Sequence, residues 1–251
     1  MISRHRPYRP FRASMLSVLV SMLWLTGCAS VSDTSLPNRP EAANAYTQLG
    51  VAYLERDNIS RALNALDRAL EIDPEHPEAL QALALVYQQQ GETALANGYF
   101  QKALVADPDF TQARNNYAAF LYQQAAYARA CEQLEKASKD AQYARRAQLF
   151  TNLGQCYLAI DKVDPARASF QRAQQIDPRH ARSYFLLAEL EFSQGNISRA
   201  WPPLRTFIQL AGPSRDALEL AIELANARGE FDKAADYLRQ LGQFNQASHD
   251  N

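Results

Sequence analysis

Few residues in this 251-residue chain could do chemistry. There are three cysteines, Cys28, Cys131 and Cys156, and four histidines, His5, His76, His180 and His249. No histidine pair has metal-ligand spacing, so no metal site is expected. His76 and His180 fall in the turns Asp-Pro-Glu-His and Asp-Pro-Arg-His and read as solvated side chains. There is no glycine-rich phosphate loop and no Gly-x-Ser-x-Gly nucleophile elbow. The carboxylates are spread over prospective helix surfaces, the ordinary solvated pattern. No catalytic residues, no cofactor and no small-molecule substrate are therefore expected. The net charge of −1 gives no electrostatic basis for binding nucleic acid.

The cysteine with the most telling surroundings is Cys28. Residues 1–14 carry Arg4, Arg6, Arg9 and Arg12 and no acid, and residues 15–25 form an apolar run of eleven. That run is too short to span a bilayer, which takes roughly 20 residues. A basic start, a short apolar stretch and then small residues make a secretory signal peptide over 1–27. Leu25-Thr26-Gly27-Cys28 is similar to the bacterial lipobox. The resemblance implies cleavage before Cys28, a diacylglycerol on its thiol and an acyl chain on the new amino terminus. More than one acyl chain anchors stably, at roughly 0.8 kcal/mol per buried CH2. Ala29 follows the cysteine in place of the Asp that favours inner-membrane retention, which implies the periplasmic face of the outer membrane. Residues 28–42 include a Ser- and Pro-rich stretch without apolar periodicity, a lipidated tether reaching on the order of 20 Å.

The elements that follow repeat. With Ala43 as position 1, Tyr46, Leu49, Gly50 and Tyr53 fall at positions 4, 7, 8 and 11, and Ala62, Leu66, Ala69 and Pro74 at 20, 24, 27 and 32. Those residue types at that spacing are the signature of the 34-residue tetratricopeptide repeat (TPR), a pair of antiparallel helices. Repeats are expected at 43–76, 77–110, 111–146, 147–180, 181–214 and 215–244, ahead of a disordered tail over 245–251. The third repeat lacks the closing proline and is two residues longer, at Arg145-Arg146. The pentapeptide Asn-Ile-Ser-Arg-Ala agrees with this count, because Asn58 and Asn196 are four periods plus two residues apart. Scarce glycine and abundant Ala, Leu, Gln, Glu and Arg fit an all-α superhelical solenoid of about six helix pairs. Pro202 and Pro203 fall at positions 22 and 23 of the fifth repeat, so its second helix is expected to start late, with a proline in its first turn.

The repeat pattern also places the two remaining cysteines and a groove. Cys131 falls on the second helix of the third repeat and Cys156 on the first helix of the fourth, helices that pack together in TPR stacks. A disulfide or two buried thiols would fit, and an oxidising periplasm favours the disulfide. First-helix positions 2, 5, 9, 12 and 13 should line the concave side. Among them Val51, Leu54 and Leu85 suggest an apolar patch, continued by Gln88, Asn115, Ala119 and Tyr122. Some of these side chains could instead pack between repeats. Lysines are absent from these positions in the first three repeats, so the carboxylate clamp of chaperone-type TPR domains is not expected.

The whole prospective mature chain resembles the type IV pilus biogenesis and stability lipoproteins, the PilF/PilW family. Three stretches go beyond a generic repeat: Asn115-Asn116-Tyr117-Ala118-Ala119-Phe120-Leu121-Tyr122, the overlong junction Asp140-Ala141-Gln142-Tyr143-Ala144-Arg145-Arg146, and Asn152-Leu153-Gly154 followed by Cys156. Ala118 replaces a usual Gly and Ala144 a usual Pro. The resemblance implies a pilotin: an outer-membrane lipoprotein that binds the type IV pilus secretin, with other pilus assembly proteins as further partners, and promotes secretin localisation and multimerisation without turnover. The alternative is an outer-membrane TPR scaffold for peptidoglycan-processing enzymes or proteases.

Overall fold

The computed structural model describes residues 39–249, with side chains to residue 243. Cys28 and the expected signal peptide lie outside the described residues. Within them the chain forms twelve helices and no strand. In chain order they are α1 (Arg39–Leu54), α2 (Ile59–Ile72), α3 (Pro77–Gln89), α4 (Thr93–Ala106), α5 (Thr111–Gln123), α6 (Tyr127–Ala137), α7 (Arg146–Leu158), α8 (Val163–Ile176), α9 (Ala181–Ser193), α10 (Ile197–Ala211), α11 (Arg215–Ala227) and α12 (Phe231–His249). None is long and apolar enough to cross a membrane.

The helices pair as six hairpins, and one backbone device makes every hairpin. The residue at position 15 of each repeat has positive φ: Asp57, Gly91, Ala125, Asp161, Gly195 and Gly229. The next N–H in each case reaches back to the carbonyl five residues earlier, as in Asn58 to Tyr53 and Ala126 to Leu121, both at 2.9 Å. This is the Schellman ending, which satisfies carbonyls that the helix terminus would leave unpaired. Between repeats, Asp73, Asp107 and Asp177 end the second helices in extended conformation. Each carboxylate accepts the N–H two residues on.

Small residues at positions 8 and 20 set the helix separation within the first five pairs; the sixth keeps the small residue only at position 20, with Ile222 at position 8. Ala62, Ala96, Ala130, Ala166, Ala200 and Ala234 at position 20 are all buried. At position 8 the glycines Gly50 and Gly154 are pressed against Leu66 and the Phe170 ring. First helices also touch one another along the array, whereas second helices do not. The first helices therefore crowd the inner side of the curve. The core is continuous in kind but lies in junctions, with the largest cluster spanning the second to fourth repeats around Phe100, Tyr117, Leu121, Leu134 and Leu153.

Three expectations about the elements are corrected. Helix α1 begins at Arg39, inside the segment expected as tether, because Pro40 suits a first turn whose N–H groups are unpaired anyway and Glu41 meets the positive helix end. Helix α12 continues to His249, through most of the segment expected as a tail. Helix α10 does not start late: it runs from Ile197 with Pro202 and Pro203 inside it. The carbonyls that lose donors there belong to Ser198 and Arg199, both exposed, so water can serve them. The gain is burial of Ala200 and Leu204 against α9 and α11, with Pro203 buried as well. Tertiary packing outweighs a local cost of roughly 3 kcal/mol per internal proline.

Candidate partner-binding groove

The concave face is recessed at the third to fifth repeats. A cleft of about 350 Å³ is lined by Ala118, Ala119, Tyr122, Gln123, Leu134, Asn152, Gln155 and Arg182. Its floor is apolar, from Ala118 and Leu134, and Tyr122 stands at its side in an edge-to-face contact with Tyr127 at 4.9 Å. In and beside its walls carboxamides link neighbouring first helices, as the Asn152–Asn115 and Gln88–Gln123 pairs do, or brace one helix, as Gln148 does within α7. Asn152 Nδ2 donates to Asn115 Oδ1 at 3.1 Å and Gln148 Nε2 to Asn152 Oδ1 at 2.7 Å. Gln88 Nε2 donates to Gln123 Oε1 at 2.8 Å, while Gln88 Oε1 is buried without a partner. Each carboxamide has two donors and an acceptor and only part of that capacity is used within the chain.

Toward the fifth and sixth repeats the face turns acidic. Glu189, Asp216, Glu219 and Glu223 line a second cleft with Phe192 and Leu220. Burial, reinforced by Asp216 and opposed by Arg182, raises the Glu189 carboxyl above the usual carboxylate range. The first cleft offers amides and the Arg182 guanidinium to an occupant, and the acidic far end suits a basic one.

The structure distributes the expected groove residues unevenly. Val51, Ala119 and Tyr122 are exposed on first helices. Leu54 and Leu85 are half-buried and pack against the clusters that join the first repeats. Position 5 is largely packing as well: Thr47, Gln81 and Thr151 are buried, and the two threonine hydroxyls donate to the carbonyls four residues back. Gln88 and Asn115 are bound into the amide pairs. Gln155 and Arg182 occupy positions 9 and 2 of the fourth and fifth repeats, so the same periodicity carried past the third repeat would have found them. Asn152, at position 6, has no such signal.

Other polar residues also differ from expectation. His76 is buried rather than solvated: its Nε2 pairs with Asn44 Oδ1 at 2.7 Å, and Nδ1 accepts the Ala79 N–H at 3.4 Å, capping α3. His180 is half-buried, and burial, opposed by Asp177 and helped by Arg182, lowers its imidazole below the ordinary value. Glu191 is a buried carboxylate, held by Arg167 Nε at 2.6 Å and Asn196 Nδ2 at 2.8 Å, which ties α8 to α9. Among the described residues no group of three or more His, Cys, Asp or Glu side chains is placed to hold a metal ion. Cys131 on α6 and Cys156 on α7 are brought together as a disulfide, with Cα atoms 5.5 Å apart.

Paired helices at a 34-residue period and a concave face of amides define a tetratricopeptide-repeat protein, and the tetratricopeptide repeat family matches residues 49–116 and 151–206. The chain belongs to the PilF/PilW family of such proteins. It is 35% identical over 234 residues to the type IV pilus assembly protein PilF of Pseudomonas aeruginosa, covering 92% of each chain. A solved structure of P. aeruginosa PilF superimposes with a TM-score of 0.75, covering 82% of this chain and 93% of that one. PilW, described as a widely conserved type IV pilus biogenesis factor, superimposes with a TM-score of 0.71 at 25% identity, covering 79% of this chain and 91% of that one. An uncharacterised protein of Haemophilus influenzae is 30% identical over 172 residues, 68% of this chain and 96% of its own length.

Proposed function

We propose that this protein is a lipid-anchored type IV pilus biogenesis factor of the outer membrane that binds secretin subunits in its concave groove and promotes their delivery and multimerisation. The observation that supports it most is the collinear similarity to PilF over 92% of both chains. Cys28 would fix the compartment through its acyl chains, and the repeats would carry recognition. The groove suits this role because an apolar floor holds side chains while carboxamide walls pair with a segment's main chain. In the oxidising periplasm the Cys131–Cys156 disulfide would hold the third repeat on the fourth beside that cleft.

The test separates anchor from groove. Ala119→Arg, on the exposed face of α5, should weaken binding of the secretin's periplasmic segment in vitro at least tenfold with helicity unchanged. Cys28→Ala should bind normally in vitro, yet heat-resistant secretin multimers in the outer-membrane fraction should fall, and surface pili with them. Normal multimers in the Cys28→Ala strain would rule out lipid-borne delivery. Unchanged multimers in a strain lacking the protein altogether would favour the scaffold for peptidoglycan enzymes or proteases.

A further inference from the structure

The two ends of the solenoid break a rule that every interior junction obeys. At interior junctions, position 24 of a second helix and position 7 of the next first helix are buried against their neighbours. Leu66, Phe100, Leu134, Phe170 and Leu204 at position 24 are at most 3% exposed. The position 7 residues of the second to sixth repeats, Leu83, Tyr117, Leu153, Leu187 and Ala221, are at most 8% exposed. The terminal equivalents are open. Leu49, at position 7 of the first repeat, is 43% exposed beside Tyr46 at 37%. Leu238, at position 24 of the last, is 56% exposed, and Phe231, one turn-pair earlier on the same face, is 69% exposed.

The two open faces are the two halves of one junction. On α12, Phe231, Ala235, Leu238 and Gly242 recur at i, i+4, i+7 and i+11, a single uncharged stripe at positions 17, 21, 24 and 28. In α2 those positions are Ile59, Leu63, Leu66 and Leu70, and they pack against Leu83 and Tyr87 of α3. On α1, Tyr46, Leu49 and Tyr53 occupy positions 4, 7 and 11, the places that Leu80, Leu83 and Tyr87 fill in α3. Solenoids whose ends face water have polar terminal surfaces; these ends have aromatic and aliphatic ones. A Cβ added at Gly242 would meet open space, which leaves room for a helix to approach closely. Arg61 and Arg68 flank the first face and Asp232 and Arg239 the second, so no uniform like-charge barrier opposes the contact. The ten residues leading into α1, Ala29 to Asn38, offer only Val31 and Leu36 as large apolar cover.

We propose that copies of this protein associate head to tail, α12 of one copy packing on α1 of the next in the manner of an interior repeat junction. The interface is heterologous, so it has no two-fold axis and does not close at a dimer. It does not depend on the secretin reading, because it uses only the two terminal helices.

Sedimentation velocity on residues 28–251 with Cys28→Ser, which keeps every described helix, gives a direct test from micromolar to several hundred micromolar. The weight-average mass should climb past that of a dimer. Leu49→Glu and Leu238→Glu should each remain monomeric over that range, at least tenfold weaker in association, with unchanged helicity since both positions are exposed. Mixed in equal amounts, they should form a one-to-one complex that grows no further, because each retains one intact end. A wild-type chain that stays monomeric throughout would overturn the proposal. So would a single variant that still dimerises, which would mean a two-fold contact through one end. If the monomeric chain instead floats with phosphatidylglycerol vesicles in a Leu49-dependent way, the membrane covers the α1 face and the second copy is excluded.

Discussion

Position 8 of the first helices is filled by glycine in α1 and α7, by alanine in α3, α5 and α9 and by Ile222 in α11, and glycine and alanine are not interchangeable there. At Gly154 an added Cβ would collide with three atoms of the fully buried Phe170 ring. Phe170 is enclosed on all sides, so relief has to come from α7 and α8 moving apart. Gly154→Ala should destabilise the fold by about 1–3 kcal/mol, the usual range for overpacking. Urea titration would show it as a lower midpoint with unchanged slope, and a loss under ~0.5 kcal/mol, within the range of ordinary surface substitutions, would mean that this contact is not the constraint. The same scale explains why the apolar groove expectation divides. Val51 and Leu54 are three residues apart on one helix, yet only Leu54 reaches the neighbouring repeat. A rule based on position number cannot separate them, because the superhelical twist decides which side chain meets a neighbour.

At the level of elements, the hairpin turn shows a conflict that the chain tolerates. Position 15 needs the left-handed region in all six repeats, and glycine or aspartate fills it in five. Ala125 fills it in the third, at φ 56°. An L-residue with a Cβ bears roughly 1–2 kcal/mol there, partly offset by the greater chain entropy that glycine loses on folding. Ala125→Gly is therefore expected to stabilise the protein by about 0.5–1 kcal/mol. A thermal melt that does not rise, or a urea midpoint that falls, would mean that the turn is not strained. Helix α10 makes the opposite point. Its sequence argues for a late start, but burial of Ala200 and Leu204 between two first helices keeps the chain helical through both prolines.

Over the whole molecule, stability should follow position in the array, since each repeat is held mainly by its neighbours. The first and last pairs have one neighbour each. The middle has two, together with the largest core cluster and the Cys131–Cys156 link, whose 25-residue separation is worth about 3.5 kcal/mol in the chain-entropy account. Native-state hydrogen exchange should accordingly be fastest in α1–α2 and α11–α12 and slowest in α5–α8, at concentrations where the chain is monomeric. Reductant should remove the advantage of α6 and α7 while leaving the ends unchanged. Uniform exchange along the array, or no response to reductant, would contradict this gradient. The sequence by itself determined the repeat and its period, the helix pairs, the small residues at positions 8 and 20 and the adjacency of the two cysteines. It could do so because each of these is written in spacings of 34 residues or fewer. Only the tertiary structure decided that His76 and Glu191 are buried and bonded, that α10 absorbs two prolines, and that Asn152 lines the cleft. It also decided that both ends stay open. Those outcomes depend on how one repeat is rotated against the next, a quantity that arises from the summed packing of every junction and is marked by no single residue.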